Sequence, residues 1–122
     1  MKRIAVVILN WNGIELLKKF IPNTINNSEQ ANIYVIDNFS EDDSVDFLKR
    51  NYLNIKVIEL DKNYGFAEGY NLGLKEIDEE IYCLINSDIK VTKNWLEPVI
   101  NNFDNNNVSI AQPIILDYNK ED

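Results

Sequence analysis

A chain of 122 residues, 45% hydrophobic and with no Pro/Gly/Ser-rich linker, is the size of one domain with a core. Its formal net charge of −8 argues against nucleic acid or an anionic membrane as an electrostatic partner, since both need a basic patch. A single cysteine and no histidine exclude an internal disulfide, a cysteine-based zinc site and imidazole catalysis.

"RIAVVIL" (3–9) is β-branched and apolar on both faces, as a strand covered on both sides should be. The preceding Met-Lys and this run superficially resemble a signal peptide. The run stops at Asn10-Trp11-Asn12 without a small-residue cleavage site and is too short to cross a bilayer, so a reducing cytoplasm is the expected location. From Gly13 to about Asn26, Ile14, Leu17, Ile21 and Ile25 fall at helical spacing, and Pro22 predicts a kink or an early end. "IYVI" (33–36) predicts a second strand. Ser40 and Asp43 form an S-x-x-D capping variant ahead of Val45, Leu48 and Tyr52. "IKVIEL" (55–60) suits an edge strand.

Phe66, Tyr70, Leu74 and Ile77 trace a third helix, and "EIYCLI" (80–85) reads as a fourth strand in which Cys83 is a core residue. Thr92 is a candidate cap for a helix carrying Leu96, Val99, Ile100 and Phe103, with Pro98 near its start. "VSIAQPIIL" (108–116) reads as a last strand, Pro113 hinting at an edge or bulge. The alternation predicts an α/β fold: a doubly wound, mainly parallel sheet with helices on both faces and right-handed crossovers. An excess of Asn, densest at Asn101-Asn102 and Asn105-Asn106-Asn107, reads as surface and turn bias.

Sheets of this kind bind ligands beyond the carboxyl ends of their strands. Three strand ends here are unusually polar: Asn10-Trp11-Asn12, Asp37-Asn38 and Asn86-Ser87-Asp88. An ordinary Asx turn accounts for Asn38 and Ser40, but not for Asp37 directly after an apolar strand, where a carboxylate is costly unless bonded or solvated. Such a carboxylate can accept hydrogen bonds from a nucleobase imide or a ribose hydroxyl. In "NYGFAEGYNLGL" (63–74), Gly69 and Gly73 each cost about 1 kcal/mol inside a helix relative to Ala. Close packing against the sheet accounts for Gly73; Asn63 and Gly65, in the loop before the helix, are better placed for an anion at its free amides. The dinucleotide fingerprint is absent. Asp88 and Asn86 together offer hard oxygen ligands to Mg²⁺ or Mn²⁺, a cation that would reconcile an acidic chain with an anionic diphosphate. An N-x-D sequence alone is no more than a polar turn; its force comes from the other two strand ends.

Taken in order, "VVILNWNG", "VIDNFSEDDS", "NYGFAEGYNLGL" and "LINSDIKV" closely resemble the family-2 glycosyltransferases of the GT-A fold, most of all the bacterial rhamnosyltransferase-like subgroup of surface polysaccharide synthesis. The resemblance implies an NDP-sugar donor, a divalent cation (Mn or Mg), inversion at the anomeric carbon, and a saccharide or lipid-linked saccharide acceptor. It assigns Asn10 and Asn12 to the nucleoside pocket, Asp37 to the base or ribose with Asn38 and Ser40 in its supporting turn, and Asn63 and Gly65 to the loop beside the nucleotide. Asn86 and Asp88 align with the D-x-D-type motif, Asp88 as metal ligand. Two positions depart from the pattern. Asn86 replaces the first aspartate, and Tyr70 stands where some members carry a basic residue that helps hold the phosphates.

None of the four motifs supplies the general base that inverting transfer requires, which in this family lies in a second half of the domain. The expectation is therefore that residues 1–122 are the donor-binding part, with the acceptor-binding half absent and no catalytic residue in the chain. It is not expected to turn over efficiently alone, and apolar surface left open would favour self-association. In the full-length protein the location extends to the inner face of the membrane. The competing class is a non-catalytic nucleotide-binding or interaction module of the same fold. A receiver-like phosphoacceptor domain wants clustered acids after the first strand and a lysine after the last; amides and Asp117 stand there instead.

Overall fold

The computed structural model describes residues 3–104. Four strands alternate with four helices: β1 (Ile4–Asn10), α1 (Ile14–Asn26), β2 (Asn32–Asp37), α2 (Ser44–Asn51), β3 (Lys56–Glu59), α3 (Phe66–Leu74), β4 (Ile81–Ile85) and α4 (Leu96–Phe103). All strand pairs are parallel and the sheet order is β3-β2-β1-β4, so the chain steps outward to β3 and then crosses back over β1 to β4. This is the expected doubly wound α/β sheet, with β3 at an edge. The strand expected at 108–116 lies outside the described residues.

The near-continuous apolar run of β1 is explained by its central place, because its side chains are buried on both faces. Ile4, Val6 and Ile8 join Leu17, Ile21, Val35, Leu48 and Leu96 on one side. Ala5 and Val7 join Tyr34, Ile36, Tyr70 and Ile77 on the other. Along β4 the second face is less covered, leaving Tyr82 and Leu84 exposed. Cys83 is half-buried against the first cluster, and burial pushes its thiol up to about 11, which removes it as a nucleophile at neutral pH.

Local expectations are not met in four places. Pro22 does not end α1; it sits on the exposed side, where a carbonyl without an amide partner can be solvated. Ser40 caps no helix, because its hydroxyl is engaged by Asp37, Asn10 and Asn12, and α2 starts at Ser44 behind Asp43. Thr92 opens a turn to Trp95, the residue that precedes α4. The stripe of α3 is real at Tyr70, but Phe66 is exposed and Ile77 lies beyond the helix end.

The expected close approach at Gly73 is present. A Cβ there would fall 2.2 Å from Cδ1 and 2.7 Å from Cγ2 of the fully buried Ile36. Overpacking of about 1–3 kcal/mol should then outweigh the gain of about 1 kcal/mol that Ala brings to a helix interior. Gly73→Ala is accordingly expected to lower the urea midpoint, and adding Ile36→Val, which removes the nearest methyl, to recover part of the loss.

Candidate functional site

The carboxyl ends of β1 and β2 meet in register, Asn10 beside Asp37, and the ladder extends one bond further from Asn38 N–H to the Asn10 carbonyl at 2.8 Å. Asn10, Asp37 and Asn38 are all buried there, Asp37 with only 2% of its surface exposed. A carboxylate so placed must be hydrogen-bonded to be tolerated. Its Oδ1 accepts from Asn10 Nδ2 at 3.0 Å and from the Ser40 hydroxyl at 2.7 Å, and its Oδ2 accepts from Ser40 N–H at 2.9 Å. The Ser40 oxygen in turn accepts from Asn12 N–H at 2.9 Å and from Asn10 Nδ2 at 3.3 Å. Most of the acceptor capacity that the sequence reading offered to a nucleoside is thus used inside the protein.

Asn10 Oδ1 is buried without a hydrogen-bond partner. It lies where a Cβ on residue 13 would be, 2.5 Å away, so only glycine fits after Asn12.

Asn12, at φ 50°, accepts Glu41 N–H at 2.7 Å and Asp42 N–H at 3.3 Å through its side chain. Asp42 then spans the starts of two helices, accepting Ile14 N–H at 3.1 Å and Ser44 N–H at 2.9 Å. Burial pushes its carboxyl up, but the hydrogen bonds from Ser44 and Ile14 outweigh this and hold it below the ordinary aspartate value.

The loop before α3 is held by the side-chain amide of Asn38, which accepts Tyr64 N–H at 2.9 Å and donates to the Gly65 carbonyl at 2.9 Å. Asn63 accepts Gly65 N–H at 2.8 Å, and Gly65, at φ 80° and ψ −173°, adopts a conformation reserved for glycine. Gly69 packs tightly here, its missing Cβ 3.1 Å from Asn38 Nδ2. From the next residue, Tyr70 donates to the Ile85 carbonyl at 3.1 Å, tying α3 to the end of β4.

On the other side of β1, Ile8 pairs with Ile85, the last residue of β4, and Ser87 lies in the turn that follows, just beyond the strand end. A Cβ on Gly13 would be 3.9 Å from Ser87 Oγ, which confirms the neighbourhood. Asn86 and Asp88 flank Ser87, are exposed, and stand outside the hydrogen-bond network of Asp37. Asp37, the last residue of β2, and Asp88, in the turn just after β4, therefore belong to the same end of the sheet, on either side of β1. Beyond Asp88 the chain is clamped by Asn23 of α1, which donates to the Val91 carbonyl at 3.0 Å and accepts Val91 N–H at 2.8 Å. Trp95 Nε1 donates to Ser28 Oγ at 3.0 Å just beyond.

Among the described residues no three Asp, Glu, His or Cys side chains gather to hold a metal. A cation at Asp88 would thus draw fewer than three carboxylates from the described residues, which suits Mg²⁺ or Mn²⁺ when a diphosphate and water complete the shell.

Residues 5–122 match Glycosyl transferase family 2. The chain belongs to that family. A putative polypeptide N-acetylgalactosaminyltransferase 10 from Caenorhabditis briggsae is 28% identical over 100 residues, which are 76% of this chain and 14% of that protein. The structure of S. aureus TarS 1–349 superimposes with a TM-score of 0.72 at 22% identity, covering 84% of this chain and 32% of that one. A mannosyltransferase from Pyrobaculum calidifontis, solved with GDP-Man and Mn²⁺, gives 0.69 at 18% identity, covering 78% and 32%. The chain therefore spans about a third or less of the length of these relatives. The GT-A-like fold of this glycosyltransferase family is shared with both solved structures.

The family motifs drew attention to Asn10, Asn12, Asp37, Asn38 and Ser40 but not to Gly13, Asn23 or Asp42. Only Gly13 carried a local signal, as a glycine where a helix begins. Because the folded-state pKa of Asp42 is lowered, its contribution to stability is present above the unfolded aspartate value near 3.8 and is lost as pH falls through the folded one. Asp42→Asn is expected to flatten the acid limb of a stability–pH curve below about pH 4, measured by urea unfolding.

Proposed function

We propose that this chain is the nucleotide-sugar-binding part of a larger inverting glycosyltransferase domain, and that the donor lies across the rim formed by Asn10–Asn12, Asp37–Ser40, Asn63–Gly65 and Asn86–Asp88. The observation that carries this is the convergence of three polar strand ends on one edge of a parallel sheet, two of them knotted around a buried carboxylate. The TarS structure in complex with UDP and the mannosyltransferase with GDP-Man and Mn²⁺ share the fold and support a nucleotide diphosphate as ligand class.

In this reading Asp37 fixes Asn10 and Ser40, and the second lone pair of its Oδ2 is kept for a base or ribose donor. The exposed amide of Asn12 lies beside it. Asn63 holds Gly65 so that the first amides of α3 are presented at the rim. Asp88 supplies a carboxylate oxygen and Asn86 an amide oxygen to Mn²⁺ or Mg²⁺; when bound, the cation stabilises negative charge on the departing diphosphate. Deprotonation of the acceptor hydroxyl needs a carboxylate on the opposite side of the sugar, and we assign none of the rim residues to it. The finer proposal is transfer of a hexose or deoxyhexose, rhamnosyltransferase-like, to a saccharide or lipid-linked acceptor in cell-surface polysaccharide synthesis at the cytoplasmic side of the membrane.

Calorimetric titration of the folded chain with UDP, dTDP and GDP, each with and without MnCl₂, tests the binding reading. At least one nucleotide is expected to bind in the presence of Mn²⁺, and Asp88→Ala to weaken that binding tenfold or more. Heat-silent titrations for all three with metal, backed by unchanged melting temperatures, would overturn it.

A further inference from the structure

Phe39 occupies a backbone position that suits glycine or asparagine, at φ 66°. Both its neighbours are pinned. Asn38 is buried and grips Tyr64 and Gly65 through its side chain, and Ser40 is bound at its amide and its hydroxyl to Asp37. The left-handed conformation is therefore imposed from both sides, whatever side chain residue 39 carries. The core does not account for a phenyl ring there, because Phe39 is 54% exposed. Trp11 and Phe66, in the loop after β1 and at the start of α3, are likewise exposed, at 55% and 65%. Three aromatic side chains thus rise from successive loops at the carboxyl ends of β1, β2 and β3, around a network of buried amides and a carboxylate. A strained backbone bearing an exposed apolar ring at a ligand-binding edge points to use of the ring itself.

We propose that Phe39 is a stacking platform for the base of the bound nucleotide. This rests on the rim being a nucleotide site. An exposed phenyl two residues after Asp37 offers a π-face on which an aromatic base can stack, and stacking of this kind tolerates any base because each has a π-face. The remaining lone pair of Asp37 Oδ2 and the side-chain amide of Asn12 then supply polar contacts at the edge, and Phe39 the apolar surface that holds the plane.

The test compares the wild type, Phe39→Asn and Phe39→Tyr, titrated with Mn²⁺ and either pyrophosphate or whichever of UDP, dTDP and GDP binds the wild type most tightly, with melting temperatures recorded without ligand. Asparagine tolerates the left-handed backbone, so Phe39→Asn should melt at or above the wild-type temperature. It should nonetheless bind the nucleotide about five- to fifty-fold more weakly. Pyrophosphate affinity should stay within twofold, and Phe39→Tyr should retain nucleotide affinity. If the wild type binds no nucleotide, the reading of the rim falls and the stacking role with it. If the wild type binds and Phe39→Asn binds equally well, the stacking role alone is overturned. It is also overturned if Phe39→Asn loses stability together with affinity, or loses pyrophosphate to the same extent, since the ring would then serve the fold or the phosphates.

Discussion

A carboxylate with 2% exposure at the end of a central parallel strand is the constraint from which the rest of the rim follows. Left unpartnered it would be intolerable, and the chain answers with neutral donors only: one amide, one hydroxyl and one backbone N–H. Two of these donors are on Ser40 and one on Asn10, so satisfying Asp37 fixes two separate pieces of backbone at once. Asn10 sets the end of β1, Ser40 folds the chain back after β2, and the Ser40 oxygen then captures Asn12 N–H. From Asn12 the order passes to residues 41 and 42, and from Asp42 to the first turns of both α1 and α2. The helices that flank the sheet are thus positioned by a chain of hydrogen bonds that starts at one buried charge.

Side-chain amides recur at every junction of that architecture. Asn12 bonds the 41–42 backbone, Asn38 the 64–65 backbone and Asn23 both polar groups of Val91. An amide carries a donor and an acceptor in the geometry of a peptide group, so it can pair with a loop as a neighbouring strand would, and it adds no charge. In a chain already at −8, that neutrality matters. The abundance of Asn, which read as surface and turn bias, is in these cases the means by which irregular loops are held to regular elements.

This explains what was legible in the sequence. The strands were visible because a strand buried on two faces must be apolar along its length, and β1 and β2 are. The polar strand ends were visible because a carboxylate after Ile36 breaks that pattern. What holds the start of α1 was not, because its cap is not local. The acceptor for Ile14 N–H is Asp42, far along the chain, and no window around residue 14 contains it. Ser40 looked like a cap since its residue type and spacing fit one, yet a buried carboxylate three residues earlier was a stronger claimant for its hydroxyl. Asn23 gave no signal, because its partner is a backbone group and backbone groups leave no mark in a sequence.

The two strand-end aspartates illustrate how position alone divides the work of identical side chains. Asp37 is enclosed and accepts three bonds from its own protein, so it is suited to hold geometry and poorly suited to bind a cation that would have to displace those donors. Asp88 is exposed, sits on the far side of β1, and has no part in that network. An exposed carboxylate stays hydrated and ready to exchange water for a metal ion and a phosphate oxygen. With Asn86 in place of a second acid beside it, a cation held there retains more of its positive charge toward a diphosphate than it would between two carboxylates. The same substitution weakens the grip of the protein on the bare ion. On the proposed reading, metal and nucleotide would therefore be expected to bind together more strongly than either binds alone, each completing the coordination that the other lacks.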